Sequence, residues 1–98
     1  MNIQALMKQA QTMQKDMMKI KEEIDNTKFS ASSSLVSVIV NGKKEIISVK
    51  IDSEQSIESD EIEMLEDMIM VALNDAFRQV DKMTEEKMGK FNNIPGLF

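Results

Sequence analysis

Hydrophobic and other residues alternate in the middle of the chain, as they do in β-strands. Val36, Val38 and Val40 are two positions apart, and the alternation resumes at residues 47, 49 and 51 after a polar break. Two such runs of β-branched residues around Asn41-Gly42 predict a hairpin over residues 35–52. Asn and Gly suit its turn because both tolerate positive φ angles.

Two registers are open for this hairpin. A two-residue loop pairs Val36 with Ile47, whereas a four-residue loop over residues 41–44 pairs Val36 with Val49. We favour the longer loop since it matches apolar side chains across the strands. Either register puts the same apolar residues on one face, namely Val36, Val38, Val40, Ile47, Val49 and Ile51. A lone hairpin is marginally stable in water, so we expect helices to cover this face.

Residues 1–27 contain no Gly or Pro and predict one long helix. Their apolar positions are spaced alternately by three and four residues, as in a heptad repeat, at Ile3, Leu6, Ala10, Met13, Met17, Ile20 and Ile24. Such a helix is roughly 37 Å long at 1.5 Å per residue, which is more than the hairpin can cover. It lies either on its own sheet or against a partner helix or second subunit; the strict period and the length favour the partner.

A second helical region is predicted over residues 60–88. Asp60 as N-cap and Glu63 three residues later form a capping pair. Six consecutive apolar residues at 68–73 predict a middle that is buried on nearly all sides. Gly89 is expected to end the helix.

The predicted fold is α+β in a single domain over residues 1–98. Its parts are a helix at 1–27, a small antiparallel sheet at 28–52, an acidic connector at 53–59, the helical region at 60–88 and a tail at 89–98. Alternation at residues 28–31 is compatible with a third short strand near 28–32, and the serines at 32–34 suit a turn or bulge.

The composition disfavours most enzyme classes. The chain has no Cys and no His, so thiol chemistry, disulfides, the usual general base and the commonest metal ligand are absent. No nucleophile–base set and no glycine-rich loop is present, and we expect no cofactor and no small-molecule substrate. No apolar run approaches the roughly 20 residues of a membrane span, and the first turns do not resemble a signal peptide. The expected location is the cytoplasm.

The net charge of −5 is concentrated in residues 52–67, which hold eight acids and no base. Six of these positions have the spacing of an EF-hand loop: Asp52, Glu54, Ser56, Glu58, Asp60 and Glu63. Ile57 stands where that loop requires Gly, so we predict no metal site. The alternative is a solvated acidic loop whose carboxylates favour the next helix N-terminus.

Basic residues form a stripe on the first helix, opposite its heptad positions. Lys8 and Lys15 lie on the outer face, Lys19 follows one turn later, and Gln4, Gln11 and Gln14 lie between them. The stripe is either a solvated helix face or a surface that contacts phosphates and sugars. Four further bases stand near the other end of the chain, at Arg78, Lys82, Lys87 and Lys90.

Five stretches resemble the YbaB/EbfC family of bacterial nucleoid-associated proteins. They are LMKQAQTMQKDM at 6–17, LVSVIVNGKKEIISVKID at 35–52, EMLEDMIMVALNDAF at 63–77, EEKMGK at 85–90 and PGLF at 95–98. The resemblance implies an intertwined homodimer with projecting helices that binds double-stranded DNA with weak sequence preference, in the nucleoid. It implies an effect on DNA conformation, nucleoid organisation or gene expression, and no catalytic residues. One departure is the serine-rich run at 30–34, where relatives are often Gly-rich.

These observations define two sets of candidate residues. The predicted DNA-binding set is Lys8, Lys15, Lys19, Arg78, Lys82, Lys87 and Lys90. The predicted dimer interface is Ile3, Leu6, Met13, Met17, Ile20 and Ile24. The competing hypothesis is a protein–protein interaction module that does not bind DNA directly.

Overall fold

The computed structural model describes residues 2–52 and 56–89, which form two helices and one sheet. The elements in chain order are α1 (Ile3–Asp25), β1 (Lys28–Ser33), β2 (Val36–Asn41), β3 (Ile46–Ile51), a 3-10 turn (Ser59–Glu61) and α2 (Ile62–Met88). The strands form an antiparallel sheet in the order β1-β2-β3. The predicted α+β class is confirmed, as is the third strand. The tail beyond Gly89 lies outside the described residues.

The hairpin between β2 and β3 adopts neither of the two registers considered from the sequence. Val38 pairs with Val49 and Val36 with Ile51, and an irregularity next to Val40 leaves Ile47 without a Cα partner. The cause is a longer turn than predicted, which Asn41 organises. Its side-chain Oδ1 accepts hydrogen bonds from the backbone N–H groups of residues 43 and 45, at 2.9 and 3.0 Å. The positive φ of this turn is at Lys44 (63°), not at Asn41 or the glycine.

The core lies between α2 and the first two strands. Its buried side chains are Phe29, Val36, Val38, Val40, Ala72, Ala76 and Val80. The two alanines let the helix approach the sheet closely, and the side-chain Nε2 of Gln79 donates a hydrogen bond to the Ser30 carbonyl at 2.9 Å. This packing stabilises the fold mainly by burying apolar surface, at about 25 cal/mol per Å².

The strand β3 is not covered in the way that the sequence predicted. Val49 keeps 44% of its surface exposed, and Ile46, Ile47 and Ile51 are exposed as well. The reason is geometric, since a helix about 10 Å wide spans roughly two strands that are about 4.8 Å apart. α2 lies over β1 and β2, so the apolar surface of the outer strand stays exposed among residues 2–52 and 56–89.

The first half of α2 also differs from the prediction. Asp60 lies inside the 3-10 turn and does not cap α2; Glu61 occupies the N-cap position and makes no side-chain capping hydrogen bond. Met70 and Val71 are 61% and 55% exposed, so the prediction that the apolar run at 68–73 is buried on nearly all sides is wrong. Met68, Ile69, Ala72 and Leu73 of the same run pack against the core, so the exposed pair lies away from that contact on the helix surface. The predicted end of the helix is confirmed, with Gly89 as C-cap.

Among the described residues, helix α1 has its one buried side chain, Ile24, near its C-terminal end. Its N-terminus is capped by Asn2, whose Oδ1 accepts hydrogen bonds from the backbone N–H groups of Gln4 and Ala5. Residues 2–12 are all exposed, whereas Ile24 is 4% exposed. The molecule is correspondingly elongated, with principal extents of 72 × 19 × 14 Å.

Candidate nucleic-acid interface

Three lysines on α1 form an open basic surface. Lys8, Lys15 and Lys19 are exposed, and within residues 2–52 and 56–89 no carboxylate makes an ion pair with any of them. Lys8 and Lys15 are two helical turns apart, roughly 10 Å along the axis. Ammonium groups without a carboxylate partner are free to meet phosphates, because no existing ion pair has to be broken first.

The C-terminal bases that the sequence predicts to bind DNA differ from the α1 lysines, because two of them have a carboxylate neighbour. The guanidinium of Arg78 lies 3.8 Å from the Asp75 carboxylate, one turn away on the same helix. The ammonium of Lys87 lies 2.7 Å from Glu23 Oε1 and thereby joins α2 to α1. Lys82 is exposed, and Lys90 lies outside the described residues. At least Lys87 therefore has a structural partner that DNA would have to replace.

Further bases, which the sequence pattern did not indicate, lie together at the hairpin turn. Lys44 makes an ion pair with Asp81 at 2.8 Å, and Lys21 makes one with Asp25 at 3.2 Å. A shallow depression of about 420 Å³ lies beside them, lined by Lys21, Ile24, Asp25, Gly42, Lys43, Thr84 and Met88. Two adjacent lysines in a predicted turn, Lys43 and Lys44, are the sequence feature from which this cluster could have been predicted. Carboxylates accompany most of these lysines, so this cluster has mixed charge.

The acids at 58–67 lie far from the α1 lysines along the chain's long dimension, whereas Asp16 and Glu22 of α1 lie beside Lys15 and Lys19. α1 meets the hairpin turn and the last turns of α2, as the Lys87–Glu23 contact shows. The acids at 58–67 are at the opposite end of α2, which is 27 residues long, or about 40 Å. The Debye length at physiological ionic strength is only about 8 Å, so the two ends present separate electrostatic surfaces.

No metal centre accompanies the acids in the part of the chain that the structure describes. Glu54, one member of the EF-hand-like spacing, is among residues 53–55, outside the described ranges. Neither of the two described helices is long and apolar enough to cross a membrane.

The heptad positions of α1 are divided between two environments. Ile3 and Leu6 are 69% and 49% exposed, whereas Met13, Met17 and Ile20 are half-buried. Ile24 is buried within its own chain, beside the hairpin turn and the end of α2. The two interpretations of this helix therefore apply to different ends of it. The C-terminal end packs on its own domain, and the N-terminal half is exposed in the part of the chain that the structure describes.

A family model described as the YbaB/EbfC DNA-binding family matches residues 1–94. This chain belongs to the YbaB/EbfC DNA-binding family. The match extends over α1, the sheet and α2, and it confirms the resemblance that the five sequence stretches indicated.

Relatives of this YbaB/EbfC protein are similar to it over nearly their whole length. A nucleoid-associated protein of Clostridium kluyveri is 41% identical, over 99% of this chain and 89% of the relative. Proteins with the same description are 43% identical in Clostridium novyi, over 100% and 90%, and 44% identical in Desulforamulus reducens, over 99% and 96%. A crystal structure of an uncharacterised Helicobacter pylori protein has a TM-score of 0.70 and 26% identity, covering 94% of this chain and 96% of the other.

Proposed function

We propose that this YbaB/EbfC protein is a nucleoid-associated protein that binds double-stranded DNA as a homodimer. The observation that carries the proposal is the set of three exposed α1 lysines, none with a carboxylate partner in the described residues. Membership of a DNA-binding family and relatives named nucleoid-associated proteins support it. The expected location is the nucleoid.

Binding is led by phosphate contacts from Lys8, Lys15 and Lys19, and a two-fold dimer supplies the set twice. Amide side chains at Gln4, Gln11 and Gln14 lie among these lysines and add hydrogen bonds to phosphate or sugar. Contacts of this kind carry little sequence information, since base identity is read in the grooves. The chain has no Trp or Tyr, and among the described residues Phe29 is buried and Phe77 half-buried, so neither presents an exposed ring for stacking on bases. We therefore expect weak sequence preference.

The overall charge of −5 does not oppose this mode of binding. Association depends on the local potential at the contact surface, and the acids at 58–67 are more than a Debye length from most of α1. The C-terminal bases Arg78, Lys82, Lys87 and Lys90 are a second proposed set. We expect them to contribute less to DNA binding than the α1 lysines, because Lys87 already makes an ion pair with Glu23.

The proposal is tested by changing Lys8, Lys15 and Lys19 together to Glu. A matched control changes three other exposed lysines to Glu, at positions 28, 43 and 50, which alters the net charge by the same amount. Fluorescence anisotropy with a short labelled duplex at about 50 mM salt measures binding, because phosphate contacts are strongest at low salt. Circular dichroism and sedimentation check that each variant keeps its fold and oligomeric state.

We expect the α1 variant to lose binding and the control to bind within a few-fold of the unmodified protein. Equal losses in both variants would mean that only net charge matters, and the α1 assignment would be wrong. An unmodified protein that does not bind DNA at this salt concentration would overturn the proposal. The protein-interaction hypothesis would then replace it.

A further inference from the structure

A groove lies where the C-terminal end of α1, the hairpin turn and the end of α2 meet. The depression of about 420 Å³ beside the turn is lined in part by Met88, the last residue of α2. A second hollow of about 410 Å³ shares Lys21, Asp25 and Lys43 with it and extends along α1 to Met18. Because the two hollows share these walls, they form one groove that runs from the end of α2, past the turn, to Met18.

The groove combines exposed apolar surface with balanced charges. Met18 at its far end is 69% exposed. On the α1 wall, Lys21 and Asp25 neutralise each other in an ion pair of 3.2 Å. The two remaining charged residues of the lining, Lys43 and Glu22, are of opposite sign. An uncharged apolar segment suits such a groove better than a phosphate or an acidic segment, since either of these would meet the two carboxylates.

The tail of the chain, residues 90–98, lies outside the described ranges but has the sequence of such a segment. After its first residue it contains no ionisable side chain. Its apolar residues Phe91, Ile94 and Leu97 are spaced by three, which is the repeat of a polyproline II helix. Pro95 favours this conformation for itself and for the residue before it. In polyproline II the three side chains form one apolar stripe about 19 Å long.

The tail is connected to the groove and is long enough to fill it. It follows Gly89 directly, and Met88 lines the same hollow as Ile24 of α1. From Ile24 to Met18 the groove follows six residues of α1, which is about 9 Å along the helix. The apolar stripe of the tail is longer than this distance, so the tail can pass the hairpin turn and still reach Met18.

We propose that the tail docks in the groove of its own chain as an extended strap, with Phe91, Ile94 and Leu97 facing the groove. The strap holds the end of α1 against the hairpin turn and the end of α2, and so restricts the direction in which α1 leaves the sheet. It reinforces the ion pair of Lys87 with Glu23, which joins the same two helices. This docking goes beyond the proposed DNA binding and does not depend on it.

Cysteine cross-linking tests the docking, because the chain contains no native cysteine. The full chain carries Glu22→Cys on the groove wall together with Phe98→Cys, which leaves the apolar stripe of the tail intact. After treatment with a short bismaleimide, mass spectrometry counts the reagent molecules on each chain: one for a bridge, two for separate reactions. The matched control combines Phe98→Cys with Gln11→Cys, an exposed α1 position about 16 Å further along the helix.

A fluorescence measurement gives a second test, because the chain contains no Trp. The variant Leu97→Trp places a single indole at the far end of the tail, and acrylamide quenching reports its access to water. The reference is a synthetic peptide of residues 89–98 with the same substitution. Adding Met18→Glu places a charge in the groove, whereas the matched control Met7→Glu places it on an equally exposed methionine outside the groove.

The Glu22→Cys pair should give mainly bridged single chains, and the Gln11→Cys control several-fold fewer. Quenching of the indole should be several-fold weaker than in the peptide, should increase with Met18→Glu and should not change with Met7→Glu. Equal bridging in the two pairs, quenching as strong as in the peptide, or protection that Met18→Glu does not alter would each overturn the proposal. Covalent dimers from the Glu22→Cys pair would show that the tail occupies the groove of a second chain, and would overturn docking within one chain.

Discussion

Gly42 in the hairpin turn lies directly against the carbonyl group of Ile24 in the last turn of α1. A Cβ atom at position 42 would be 1.8 Å from the Ile24 carbonyl oxygen and 2.4 Å from its carbon. Both neighbours are backbone atoms, so no side-chain rotation can relieve the overlap. The absence of a side chain at this position therefore lets the turn fix the point from which α1 leaves the sheet.

Gly42→Ala should destabilise the protein because the turn and α1 must move apart to admit the methyl group. Overpacking of this kind costs about 1–3 kcal/mol or more. The matched control is Gly89→Ala, since a Cβ there meets nothing within 4 Å and the residue has a right-handed φ of −58°. Urea denaturation should show a lower midpoint for the first variant and an unchanged or slightly higher one for the control. Equal midpoints for the two variants would contradict this explanation.

The sequence predicted the elements well because their patterns are local. Unbroken helical spacing in α1 and α2, and period-2 alternation in β2, depend only on neighbouring residues. The hairpin register was wrong because it depends on how Asn41 hydrogen-bonds to residues 43 and 45, which extends the turn. The role of Gly42 was also missed: it is set by contact with Ile24, eighteen residues away, and not by its own φ angle.

The sequence could not show which apolar residues remain exposed. Val40 and Val49 look alike in the alternating pattern, but one is fully buried under α2 and the other is 44% exposed. The difference arises from the width of a single helix, which is a tertiary property. The basic stripe on α1 was predictable from spacing, whereas the ion pair that holds Lys87 depends on where the two helices meet.

Alanine substitutions at Val38 and Val49 should have different effects, because Val38 lies in the core of the single chain whereas we expect Val49 to be buried only in the dimer. Val38 is 1% exposed, so Val38→Ala should cost about 2–3 kcal/mol at every protein concentration. Val49 is opposite it on β3. Val49→Ala should have a small effect in dilute solution and a larger one where the dimer forms, since only the dimer would bury it. Thermal denaturation over a range of protein concentrations measures both; identical concentration dependence would argue against burial of β3 in a dimer.

The salt dependence of DNA binding should reflect the number of lysines that contact phosphates. Three α1 lysines in each chain of a dimer neutralise about six phosphates, which predicts a slope near −5 in a plot of log K against log salt, at ~0.9 per phosphate. Changing Lys15 alone to Gln removes two contacts per dimer and should reduce the slope by about 2. The control Lys50→Gln should leave it unchanged. A slope that is the same in both variants would exclude Lys15 from the contact surface.

The heptad positions of α1 should respond differently to a charged residue at the two ends of the helix. Leu6 is 49% exposed within the single chain, so Leu6→Lys should weaken dimerisation while the folded monomer persists. Ile24 is 4% exposed, so Ile24→Lys should unfold the domain, because a buried charge without a partner is costly. Gln4→Lys adds the same charge on an exposed position beside the heptad seam and should change neither property. Sedimentation equilibrium and circular dichroism distinguish the outcomes. A folded Leu6→Lys protein with undiminished dimerisation would remove the N-terminal half of α1 from the interface.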